Sequence, residues 1–96
     1  MPVYILASKL KEMNAGERER IGKEWLAKIK ETCPNVKWLN HYALLGPYDF
    51  LSIYEAPDDR TAMKVSLITL AHGALKAESW TAMPYAEFLE LAKEVT

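Results

Sequence analysis

Cysteine is almost absent: one residue, Cys33, in a chain of 96. That excludes an internal disulfide framework and fits a reducing compartment, so a cytoplasmic location is expected. Long apolar runs are also missing, and none approaches the roughly 20 residues that a membrane-spanning helix needs. The opening Met1-Pro2-Val3-Tyr4-Ile5-Leu6 has neither the basic flank nor the small-residue cleavage site of a signal peptide. Positive charge is not concentrated. Twelve Lys and Arg stand against 13 Asp and Glu, for a formal net charge of −1, whereas nucleic acid or an anionic membrane calls for a dense basic face. No glycine-rich phosphate loop and no G-x-S-x-G elbow occurs. Two histidines and one cysteine far apart in sequence make no zinc signature, so no metal and no cofactor is expected.

What remains is an ordinary folded composition, 50% hydrophobic and 26% charged. The length allows one domain, residues 1–96. A monomer of this size buries a modest share of its surface, so a partner subunit would help it materially.

Val3 to Ser8 is an apolar run of strand length, and the pattern predicts a first strand there. Asn14 precedes Ala15-Gly16-Glu17 as a helix cap does, with a carboxylate three positions in. Ile21, Trp25 and Ile29 then recur every fourth residue as one buried stripe, and Cys33-Pro34-Asn35 ends the helix. A second strand is expected over Val36 to Leu45.

Gly46-Pro47 is a turn signal that leads into Tyr48-Asp49-Phe50-Leu51-Ser52-Ile53-Tyr54-Glu55, an alternating run rich in aromatic and β-branched residues. Pro57 closes this third strand, and Asp58 or Asp59 can cap a helix reaching His72, with Gly73 as its stop. A fourth strand is expected over Ala74 to Ala82. It carries Leu75, Ala77, Ser79 and Thr81 on one face and Lys76, Glu78 and Trp80 on the other. Pro84 opens a last helix with Tyr85, Phe88, Leu89 and Ala92 on its apolar side.

The order β-α-β-β-α-β plus a C-terminal helix is the split-βαβ, ferredoxin-like pattern. It implies an α+β fold with a four-stranded antiparallel sheet and its helices on one face. The stretch from Gly46 to Asp59 also resembles the GYD-domain family, named for a Gly-Tyr-Asp motif. Gly46 and Tyr48 are separated by Pro47, and Glu55-Ala56-Pro57-Asp58-Asp59 closes the strand. Gly73 and Ala77-Glu78-Ser79 match the family's fourth strand, and the resemblance covers most of the chain from the second strand onward. It implies a dimeric α/β barrel, in which two sheets meet face to face.

The strand pattern leads to the same expectation. Aliphatic residues suit helix packing, which assigns Val3, Ile5, Leu51 and Ile53 to the helix side. Tyr4, Leu6, Phe50 and Tyr54 then form an uncovered apolar face too large for a monomer. A homodimer, or a multiple of dimers, is expected to cover it. The second strand resists this treatment because neither parity is cleanly aliphatic, and a β-bulge can shift its register.

Seven residues are candidates for binding a small apolar or aromatic molecule beside the sheet: Tyr4, His41, Tyr42, Tyr48, Ser52, Tyr54 and Trp80. Aromatic rings with polar tips suit such a ligand, although each alone is also ordinary core or interface packing. His41 is the one candidate for catalysis, as a general base near neutral pH. Its competing role is that of a half-buried, hydrogen-bonded histidine. Asp49 and Tyr48 either frame a pocket mouth or serve the turn, and Cys33 lacks a cationic neighbour on its own turn. Folds of this assembly type also host cofactor-independent monooxygenases, isomerases and haem degraders, which gives an enzyme as the rival expectation. A regulatory or assembly module is the third.

Overall fold

The computed structural model describes all 96 residues as β1 (Val3–Leu10), α1 (Ala15–Thr32), β2 (Lys37–Ala43), β3 (Phe50–Glu55), α2 (Asp59–Ala71), β4 (Ala74–Ala82) and α3 (Tyr85–Glu94). The four strands form one antiparallel sheet in the order β2-β3-β1-β4, with α1 and α2 on a single face. This is the expected ferredoxin-like arrangement. No helix is long and apolar enough to cross a membrane.

The helix starts follow their capping chemistry. Asn14 Oδ1 accepts the Glu17 N–H at 2.9 Å, and Asn14 Nδ2 donates back to Glu17 Oε1. Asp58 caps α2 through the Thr61 N–H at 2.8 Å. Asp59 is thereby free for a different task, accepting the Tyr4 hydroxyl at 2.7 Å. Gly73 ends α2 at φ +91°, a left-handed backbone that glycine adopts without strain.

The two sheet faces are the reverse of the sequence expectation. Tyr4, Leu6, Ser52 and Tyr54 lie under the helices and are buried, with Phe50 beside them. Val3, Ile5, Leu51 and Ile53 occupy the open face and are only half-buried. The reason lies in the tyrosine hydroxyls. On the helix side Tyr4 meets Asp59, and Tyr54 meets Ser79 Oγ at 3.0 Å. Ser79 in turn donates to the Ala62 carbonyl and joins the Ser66 hydroxyl. Polar tips are satisfied there and the rings fill the core, stacked 5.6 Å apart. Ile29 of α1 and Cys33 just past its end, with Ala62, Val65 and Ile68 of α2, complete this core.

β2 contains the bulge. Its register to β3 passes from Trp38↔Tyr54 to Asn40↔Ile53, which leaves Leu39 unpaired. Parity inverts across it, so Trp38 and His41 both face the helices while Tyr42 faces the open side. α3 packs against no other element of the chain.

Candidate functional site

The C-terminal half of α1 and its cap seal the core through Ile29 and Cys33, but its N-terminal half stands over β1 and β3 without closing on them. Between lies a cavity of about 360 Å³, within the range of small-molecule sites. Leu6, Ser8 and Ser52 of the sheet and Thr69 of α2 form its buried floor. Ile21, Trp25 and Leu26 roof it, and the exposed Arg18, Gly22 and His41 mark its mouth. Leu10, Met13 and His72 close one end, and Phe50 closes the side next to His41.

Its polar groups are fixed locally. His41 Nδ1 lies 2.6 Å from Ser52 Oγ, and the imidazole stacks on Phe50 at 5.4 Å with planes 9° apart. The bulge at Leu39 puts it there. Trp25 Nε1 donates to Thr69 Oγ1 at 2.9 Å, and Thr69 donates to the Val65 carbonyl, so both are satisfied. His72 Nδ1 donates to the Ile68 carbonyl at 2.7 Å, which leaves Nε2 without a partner in the chain. Arg18 Nε donates to the Met13 carbonyl, and its guanidinium has no carboxylate partner.

The seven candidate residues therefore divide three ways. His41 and Ser52 meet in the cavity. Tyr4 and Tyr54 are core residues whose hydroxyls are already used; the bond to Asp59, helped by burial, pushes the Tyr4 pKa up to about 12. Tyr42, Tyr48 and Trp80 belong to the open side. Tyr48 donates to Glu78 Oε2, meets the Trp80 ring edge-on at 6.1 Å, and lies under the Lys76 ammonium. Its hydroxyl is the main cause that holds the Glu78 carboxyl below the usual carboxylate range. Asp49 lies between the two faces. Its carboxylate accepts the Leu10 N–H at 2.7 Å, and its own N–H donates to the Ser8 carbonyl. Burial pushes the Cys33 thiol up, away from thiolate chemistry.

Sequence reasoning missed Arg18, Trp25, Phe50, Thr69 and His72 as cavity residues. Trp25 was visible only as a helix stripe, and His72 only as a helix end. The signal available was a stripe, Ile21-Trp25-Ile29, with a wide polar face beside it.

The structure is thus a ferredoxin-like α+β domain with an apolar cavity under its first helix. The chain belongs to the GYD domain family, whose model matches residues 6–92. It is 32% identical, over 97% of its own length and 100% of the relative's, to a Thermus thermophilus protein named glutamine synthetase and cystathionine beta-lyase binding protein. Among solved structures it resembles a dabb family protein with a ferredoxin-like fold from Mesorhizobium loti. That likeness has a TM-score of 0.58 at 15% identity, over 85% of this chain and 94% of the other. A hypothetical protein from Pyrococcus horikoshii is similar at a TM-score of 0.53 and 20% identity, over 88% and 92%. These likenesses establish the fold.

Proposed function

We propose that this GYD-family protein is a self-assembling binding protein. A second copy covers the open sheet face, and a small, largely apolar molecule sits in the cavity beneath α1. The observation that carries the ligand is the 360 Å³ space between α1 and the sheet, where Trp25 and Phe50 offer ring faces beside the His41–Ser52 pair. The uncovered aliphatic face, with Trp80 at 38% and Tyr42 at 50% exposure, supports the second copy. Native mass spectrometry of the purified protein tests both parts together. Dimers or multiples of dimers carrying a retained small molecule are the expected result. A bare monomer at micromolar concentration sinks the proposal.

A second reading comes from the Thermus thermophilus relative, named for binding two enzymes. Full-length likeness at 32% identity supports a protein-binding role for this chain as well. Surface plasmon resonance against purified glutamine synthetase and cystathionine β-lyase tests it, and saturable binding to neither removes it. Catalysis rests on His41 alone. Its Nδ1 is held by Ser52, and its exposure at the mouth leaves the ring reachable. If the protein has an activity in which His41 is the general base, His41→Ala abolishes it without unfolding the chain.

A further inference from the structure

The cavity has a charge character as well as an apolar one. Of its 14 lining residues none is a carboxylate, one is an arginine and two are histidines. An organic cation would find no counter-charge there. Arg18 is the fixed positive group, and no acidic side chain neutralises it, although its neighbours Arg20 and Lys23 both have glutamate partners. Arg18 at the mouth is tied to Met13, which lines the same cavity. Arg18 Nε donates to the Met13 carbonyl, and the Met13 methyl lies 3.1 Å from where a Cβ on Gly73, next to His72, would be. His72 adds no donor for an anion, because its Nδ1–H is committed to the Ile68 carbonyl and leaves Nε2 as an acceptor. Trp25 and Phe50 line the apolar remainder of the cavity.

We propose that the cavity takes a small aromatic or aliphatic carboxylic acid, its carboxylate at Arg18 and its apolar body against Trp25 and Phe50. This rests on the ligand-binding reading above and gives the ligand its chemical class. One planar guanidinium fork matches one carboxylate, and the few further donors do not supply what a more highly charged phosphate would need. The apolar lining contributes affinity by burial, and Arg18 contributes selection between acids and their neutral analogues.

Isothermal titration of the purified full-length protein with 1-naphthoate, 1-naphthamide and 1-naphthylmethylamine tests this. The expected order is naphthoate at least about tenfold tighter than the amide, a gap the size of one charge-assisted hydrogen bond, with the amine weakest. Arg18→Gln, at an exposed position, should erase that gap by weakening naphthoate much more than the amide. Trp25→Leu should weaken binding of naphthoate and amide alike. Equal binding of all three compounds overturns the carboxylate assignment while leaving an apolar ligand site standing. So does a gap that survives Arg18→Gln. Binding of none of the three overturns the assignment and the ligand-binding reading together. Naphthoate binding indifferent to Trp25→Leu places the acid outside the cavity and also overturns the proposal.

Discussion

Asp49 carries more of the fold than its turn position suggests. Its backbone N–H extends the β1–β3 ladder to Ser8, and its carboxylate then replaces a strand by accepting the next outward N–H, that of Leu10. Leaving a half-buried donor unmatched costs about 1–3 kcal/mol. Asp49→Ala is therefore expected to lower the urea-unfolding free energy by about that much, with Asp49→Asn closer to wild type because an amide oxygen still accepts. The turn was legible from Gly46-Pro47, but this bond was not, since its partner lies 39 residues away. Tyr4 supports a second prediction. Its pKa rises from the ordinary 10.0 to about 12, so between those values the unfolded chain loses the proton first. Stability from the Tyr4–Asp59 bond is complete below pH 10 and is lost as pH climbs toward 12. Alkaline unfolding followed by circular dichroism should be steeper in the wild type than in Tyr4→Phe. At neutral pH that variant should be about 1 kcal/mol less stable.

At the scale of elements, order and ends were legible because caps, prolines and Gly73 act locally. β4 was expected over Ala74 to Ala82 and occupies those residues; β2 and β3 are each shorter than expected. The facing of the strands was not legible. Val3/Ile5 and Tyr4/Leu6 are both apolar sets, and what decides between them is a pair of hydroxyl partners, Asp59 and Ser79, that only the folded chain brings near. The same holds for His41, whose place in the cavity depends on one unpaired residue, Leu39. Gly73 gives this scale its test. A methyl there would require a strained φ near +91° and would press on Met13 at 3.1 Å. Gly73→Ala should cost about 1–2 kcal/mol in denaturant unfolding. Because Met13 lines the cavity, it should also alter ligand affinity, which a helix-stop role alone would not do.

The whole molecule is longer than its size requires. A compact chain of 96 residues has a radius of gyration of about 12.5 Å, whereas this one has 14.7 Å and an extent of 51 Å along its longest axis. α3 accounts for the excess: it stands clear of the body with Tyr85 at 73% and Phe88 at 52% exposure. An exposed amphipathic helix and an uncovered aliphatic sheet face in one small chain both gain from burial against a second copy. If that copy is present, melting temperature must rise with protein concentration, since association stabilises only the folded state. Ile53→Arg puts a charge at the centre of the open face, paired with Ile5 on β1 and Asn40 on β2. The expected outcome is a monomer by light scattering, a native circular dichroism spectrum and a melting temperature independent of concentration. Truncation after Ala82 should weaken association less than Ile53→Arg does if the sheet face is the main contact. A wild-type melting temperature that is flat across a hundredfold concentration range, with a monomeric mass, would leave both apolar surfaces to a different protein partner.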